Sequence, residues 1–180
     1  SEMCIRDRNG SWNLGGWRNL YHTRRVTAAE NVTEVINTDS LVINASAIST
    51  VRGYGGGGVG YYYAHGLSSS DLTFTGSSVS ISSYAEALNA WSYGINNNST
   101  LSITGDDNKE LNINAVSRVT GYDPAWGINS STVSTEGGDD TISIKADSGS
   151  ISHGFWRRSE LLAYGMQDST LSSGDGNDII

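Results

Sequence analysis

The sequence has one cysteine, Cys4, and one proline among its 180 residues. A single cysteine excludes an internal disulfide framework and a cysteine-based zinc cluster. No window approaches 18 consecutive apolar residues, so no segment reads as a membrane-spanning helix. Basic residues are few: 11 Lys and Arg stand against 19 Asp and Glu, a formal net charge of −8. A nucleic-acid binder neutralises phosphates with Lys and Arg, so this balance argues against that class and favours cations as partners. Motifs for catalysis are also missing. The run Gly55-Gly56-Gly57-Gly58 lacks the Lys-Ser/Thr that completes a phosphate loop. No Gly-x-Ser-x-Gly elbow is present. His22, His65 and His153 are scattered, without metal-ligand spacing. The chain therefore reads as non-enzymatic.

Glycine, by contrast, is plentiful at 22 residues, and hydrophobic residues at 37% suffice for one core of moderate size. The glycines belong to a repeat. It opens with an aromatic ring or His, then Gly, then a large apolar residue: His65-Gly66-Leu67, Tyr93-Gly94-Ile95, Trp126-Gly127-Ile128 and Tyr164-Gly165-Met166. A short alternating strand follows, with inward positions Leu72/Phe74, Leu101/Ile103, Val133 and Leu171. Next comes a Gly/Asp/Asn turn, at Gly76–Ser78, Gly105–Asn108, Gly137–Asp140 and Gly174–Asp178. A second alternating strand carries Val79/Ile81, Leu111/Ile113 and Ile142/Ile144, and Leu41-Val42-Ile43-Asn44-Ala45 is an earlier copy of it.

Alternation at period two marks strands with one buried face. Each unit holds too few large apolar side chains to fold alone, whereas stacked units form continuous Leu/Ile/Val ladders. The predicted fold is all-β, a parallel β-solenoid of 29–38-residue repeats with two good strands and a looser third side per turn. A β-sandwich also alternates, but it does not need the same turn and the same aromatic-Gly pair in every unit. The expected organisation is a repetitive solenoid over 31–180, cut off at its C-terminal end, preceded by an uncertain coil or cap over 9–30. Residues 1–8, SEMCIRDR, resemble the adaptor-derived peptide found at the ends of environmental sequence reads, and are set apart as non-native.

Ser173-Gly174-Asp175-Gly176-Asn177-Asp178-Ile179-Ile180 resembles the repeats-in-toxin (hemolysin-type calcium-binding) nonapeptide, with Ser173 in place of the first Gly. Gly137-Gly138-Asp139-Asp140-Thr141-Ile142 resembles a shortened form that lacks the third Gly. The resemblance implies calcium ions between adjacent coils, held by Gly138, Asp139, Asp140, Gly174, Asp175, Gly176 and Asp178. The unit is longer than that family's. Independently, stacking predicts an acidic column of Asp106/Asp107, Asp139/Asp140 and Asp175/Asp178, about 5 Å apart. Such a column repels itself unless a cation bridges it or solvent and Lys109 offset it. For Asp106/Asp107 the solvated turn is the preferred reading.

The style of residues 60–180 also resembles long repetitive surface or secreted proteins of marine bacteria. That resemblance implies an extracellular, structural or adhesive segment whose partners are calcium ions, neighbouring copies or the cell surface, or polysaccharide. The alternative is a carbohydrate-active or carbohydrate-binding β-helix. Outward positions such as Ser102, Asn112, Asn114 and Ser143, with Lys145 the exception, show no acid–base cluster and weigh against catalysis. Trp91, Tyr93, Trp126, Trp156 and Tyr164 gather on the third side. Buried, they fill a wide corner of the coil, the preferred reading; exposed, they would stack on sugar rings. His65 shares their slot and is expected in an aromatic stack. Trp156-Arg157-Arg158 reads as an exposed loop. Ice binding ranks last, because Thr73/Thr75 is the one alternating Thr pair on a strand.

Overall fold

The computed structural model describes residues 22–48, 60–87, 89–119, 123–150 and 161–180. The chain is a parallel β-solenoid, three-sided in cross-section. Each coil contributes one strand to each of three sheets. The first coil holds β1 (His22–Glu30), β2 (Thr33–Ile36) and β3 (Ser40–Ile48). The second holds β4 (Gly60–Ser68), β5 (Asp71–Phe74) and β6 (Ser78–Ala87). The third holds β7 (Asn89–Asn96), β8 (Thr100–Ile103) and β9 (Glu110–Val119). The fourth holds β10 (Asp123–Asn129), β11 (Thr132–Thr135) and β12 (Thr141–Ser150). The fifth holds β13 (Leu161–Gln167) and β14 (Thr170–Ser172), and Ile179 bridges to Thr141. All pairings are parallel: β1-β4-β7-β10-β13 form sheet A, β2-β5-β8-β11-β14 sheet B, and β3-β6-β9-β12 sheet C.

The register follows the repeat. Ile43, Ile81, Ile113 and Ile144 lie side by side in sheet C. Leu72, Leu101, Val133 and Leu171 do so in sheet B. The columns between sheets B and C are buried: Phe74, Val79, Ile81, Leu101, Leu111 and Val133 are 0% exposed. Full burial of such a side chain is worth about 1.5–3 kcal/mol. These ladders are what the alternating strands of the sequence predict.

Sheet A departs from the expected loose third side. Its strands run for seven to nine residues. Ahead of their glycines the inward positions are small, Ala64, Ala90, Ser92 and Ala125, where Ser83 and Ser117 of sheet C bond to Ser92 and Ala90, and past the glycines Leu67, Ile95 and Ile128 are buried in the core. The glycines of the aromatic-Gly motif show how tightly sheets A and C close on each other. A methyl group on Gly94 would stand 2.4 Å from Ile113 Cγ2 and 2.5 Å from the Gly127 oxygen, and Gly66 and Gly127 repeat this contact with Ile81 and Ile144. The rings of His65, Trp91, Tyr93, Trp126 and Tyr164 lie on the outer side of these strands. The first coil also begins inside the stretch set apart as coil or cap, since His22–Glu30 pairs along β4. Residues 1–8, Gly55–Gly58, His153 and Trp156–Arg158, and the His22 side chain, for which the sequence gives expectations, lie outside the described residues.

Two corners carry hydrogen-bonded ladders. Between sheets A and B the chain turns through a left-handed residue in every coil: Asn31, Ser69, Asn97 with Asn98, Ser130 and Asp168 have φ of 48–57°. Beside it a column of serines points inward. Ser70, Ser99, Ser131 and Ser169 each accept, through Oγ, the N–H of Val32, Ser70, Ser99 and Ser131 respectively in the coil before. Each hydroxyl donates to a carbonyl two or three residues upstream in its own coil. A buried corner thus satisfies amides that the sheets leave unpaired.

Candidate functional site

The Gly/Asp corner between sheets B and C brings all seven expected ligand residues together. The register orders them differently from the predicted acidic column. The backbone bonds place Lys109, Asp140 and Asp178 in one column, with Asn108, Asp139 and Asn177 in the next. Gly137 stands between Asp106 and Asp175, and Gly138 between Asp107 and Gly176. Each aspartate is therefore interleaved with a neutral or basic neighbour, apart from the Asp140–Asp178 pair. The turns are of unequal sequence, and the offset between them disperses the charge.

The side chains clip one coil to the next in two opposed series. Asn108 Oδ1 accepts from the Asp139 N–H at 2.9 Å, and Asp139 Oδ1 from the Asn177 N–H at 2.8 Å. In the adjacent column Asp178 Oδ1 accepts from the Asp140 N–H at 2.9 Å, and Asp140 Oδ1 from the Lys109 N–H at 2.8 Å. The Ser173 hydroxyl and the Asp140 amide hold the Asp178 carboxyl below the usual carboxylate range. Lys109 is buried and its ammonium donates to the Asp107 carbonyl. Gly138 and Gly176 are required by both conformation and space. Their φ values are +114° and +151°, and a Cβ on Gly176 would stand 1.9 Å from the Gly138 oxygen.

One group is left over. Asp140 is 1% exposed, and its Oδ2 has no hydrogen-bond partner. Such an oxygen invites a water or a cation. Calcium takes six to eight oxygens. The turn offers Asp140 Oδ2 and carbonyls, but among the described residues no three acidic or histidine side chains gather as a ligand group. Most of the expected carboxylate donors already accept backbone amides. The donor set therefore falls short of the calcium cage that the resemblance implies.

The aromatic residues occupy the outer face of sheet A, rather than filling a corner inside the coil. His65, Tyr93, Trp126 and Tyr164 form one column. Tyr93 and Trp126 stack at 4.6 Å and 6°, and Trp126 and Tyr164 at 6.0 Å and 13°. Tyr63 and Trp91 stack beside them at 4.8 Å and 12°, and the Arg25 guanidinium lies 5.9 Å from the Tyr63 centroid. Rings stacked in this way turn their faces to each other and their edges to solvent. Sugar stacking needs a free face, so this geometry disfavours it.

His65 is in the expected aromatic stack and is 3% exposed. Nδ1 meets the Asn96 amide, while Nε2 is buried without a partner. Burial, helped by the Arg25 charge and opposed by the Asn96 bond, lowers its pKa to about 4. Sequence reasoning missed both ladders of serine and Asx bonds, although a Ser one residue before the apolar strand recurs at Ser70, Ser99, Ser131 and Ser169. The outward positions Ser102, Asn112, Asn114, Ser143 and Lys145 are where the alternation puts them. A groove of about 260 Å³ on sheet C, lined by Asn44, Ser82, Tyr84 and Asn114 among others, holds no acidic, basic or histidine side chain. Comparison with protein-family models, curated proteins and solved structures finds no match.

Proposed function

We propose that the chain is a non-enzymatic structural and adhesive segment of a secreted or cell-surface repeat protein. The supporting observation is where its side-chain chemistry goes. Serine, Asx and aromatic ladders all run from coil to coil, so the polar and aromatic groups that could serve a reaction serve stacking instead. Such a stack is a stiff rod whose stability is a sum of nearest-neighbour terms. Calcium enters the proposal at one atom, the unpartnered Asp140 Oδ2, where an ion would complete its shell with turn carbonyls and water rather than with the carboxylate cage the resemblance implies. A bound ion would stabilise the folded form by mass action.

Force spectroscopy on the whole chain tests the rod. Coils of 29–38 residues should detach in steps of about 100–130 Å at roughly 3.4 Å per residue. Complete unfolding in one weak step overturns the reading. Thermal melts with calcium against magnesium test the ion. A calcium-specific rise that vanishes in Asp140→Ala supports it, and no rise removes calcium while leaving the rod.

A second reading, glycan binding, is favoured by the groove on sheet C, a largely apolar hollow among Asn44, Ser82, Tyr84 and Asn114 that could take the apolar face of a sugar ring. Binding to a glycan array that is lost in Asn114→Ala supports it. An array with no bound sugar rejects it.

A further inference from the structure

We propose that the outer face of sheet B binds the surface of ice. Thr73/Thr75 remains the one alternating Thr pair, but in space serines extend the Thr73 position from coil to coil. Thr73 pairs with Ser102, Ser102 with Ser134, and Ser134 with Ser172, giving one unbroken hydroxyl column over four coils. Thr100, Thr132 and Thr170 form a second column on its one flank, with Asp71 next to Thr100 at its N-terminal end. Thr75 and Thr104 form a pair on the other flank, aligned by their N–H bonds to Ile36 and Phe74, and Glu136 follows them in the next coil. These positions point outward, between inward residues Leu72, Phe74, Leu101, Ile103 and Val133 that are 3% exposed or less.

The sheet sets the spacing. Neighbouring hydroxyls lie about 4.8 Å apart along the coil axis and about 6.7 Å apart along each strand, at alternate residues. A packed core fixes the backbone beneath them, and the β-branched threonines have restricted χ1. The result is a two-dimensional lattice of hydroxyls and methyls. Both repeats are close to oxygen repeats on faces of hexagonal ice, an order that liquid water holds only transiently.

A second observation separates these hydroxyls from the rest. The ladder serines Ser70, Ser99 and Ser131 are buried and fully engaged by backbone groups. On the outer face, the hydrogen bonds within the described protein are Ser134 to Ser102 at 3.3 Å and those of Thr75 to Asn37 and Ile36. The hydroxyls of Thr73, Thr100, Thr104, Thr132 and Thr170 are left for a ligand. Charge distinguishes the face as well. Sheet C carries Glu110, Arg118, Lys145 and Asp147 outward, and sheet A carries the stacked rings, whereas β8, β11 and β14 present no ionised side chain within their strands, and Asp71 and Glu136 stand at the margins of that area. An array of short side chains, uncharged from β8 to β14 and with neither cleft nor ring, matches a flat water lattice better than a glycan, which is held by an apolar platform and a pocket.

The full 180-residue chain tests this in two assays: arrest of growth of a seed crystal below its melting point, and uptake of the labelled protein into a growing ice hemisphere. Wild type should arrest growth and enter the ice. Thr132→Lys should lose most of the effect. Thr132→Val should lose part of it while keeping shape and β-propensity, which covers the case of a lysine variant that fails to fold. Ser143→Lys, on sheet C, should keep the wild-type effect. Circular dichroism melts establish that each variant is folded. No growth arrest by wild type, or equal loss in Thr132→Lys and Ser143→Lys, overturns the proposal. Sedimentation with insoluble chitin or cellulose without any effect on ice overturns it too, and assigns the face to polysaccharide.

Discussion

Acid should loosen this solenoid through one buried imidazole. His65 is buried between Tyr63 and Tyr93, with Arg25 nearby and no acceptor at Nε2. In the unfolded chain it titrates at the ordinary 6.5, and in the folded chain at about 4. Above pH 6.5 the ring is neutral in both states, and folding carries no penalty from it. Between 6.5 and about 4 the unfolded chain binds a proton that the folded chain rejects, so stability falls as the pH falls. Below about 4 the loss is complete. The 2.5-unit gap, at 1.36 kcal/mol per unit, amounts to about 3 kcal/mol. That is a large part of the roughly 5–15 kcal/mol by which domains are stable. The assay is urea denaturation from about pH 7.5 to about pH 4.5 in wild type and in His65→Tyr. Tyrosine is the chosen replacement because Tyr93 and Tyr164 fill the same slot in other coils. Carboxylates titrate alike in both proteins, so the difference between the two pH profiles belongs to His65. It should grow to about 2.5 kcal/mol by about pH 4.5, most of the full effect. Parallel profiles, or an NMR titration that places His65 near 6.5, would refute the reasoning.

Other substitutions test the coil contacts. Gly94→Ala forces a methyl group against Ile113 Cγ2 and the Gly127 carbonyl, and should cost at least about 1–3 kcal/mol in urea denaturation, with a lower Tm. Ser99→Ala removes the acceptor of the buried Ser70 N–H and should cost about 1–3 kcal/mol, whereas Ser102→Ala on the outer face should change stability little. Ile113→Ala opens a cavity in the sheet C ladder and should cost about 2–5 kcal/mol by the same measurement. Asp140→Asn keeps an oxygen for the Lys109 N–H and relieves the orphaned charge, so it should be less destabilising than Asp140→Ala in metal-free buffer.

Two of the three sheets are legible in the residues, because their inward positions are Leu, Ile, Val and Phe at strict alternation. The recurring Ile43, Ile81, Ile113 and Ile144 even specify the register. Sheet A inverts the usual signal. Ahead of its glycines it buries Ala and Ser where it meets sheet C and turns Tyr and Trp outward, so hydrophobic alternation there points to the wrong face, while Leu67, Ile95 and Ile128 beyond them lie in the core. The glycine of the aromatic-Gly pair is likewise a packing residue, and only the distance to the facing isoleucine reveals it. At the Gly/Asp corner, composition suggests an acidic column. Which aspartate stacks on which residue depends on offsets of one position between unequal turns. The register pairs Asp139 with Asn108 and Asn177, which no count of acids conveys. The hydroxyl face was hidden for a related reason. Serine substitutes for threonine in the third and later coils, and spatial neighbours are about thirty residues apart in sequence.

The parallel stacking of coils is tested most directly by one distance. Thr33 and Thr170 occupy the first and last places of one outward column in sheet B, linked through Asp71, Thr100 and Thr132. Four inter-strand steps separate them, so their Cα atoms lie about 19 Å apart. Spin labels at these two positions, in a Cys4→Ser background, report that distance by pulsed electron resonance. A solenoid gives a single narrow distribution near that value, broadened by the label tethers. A broad distribution, or a peak far from it, contradicts in-register stacking and with it the fold on which every functional proposal here depends.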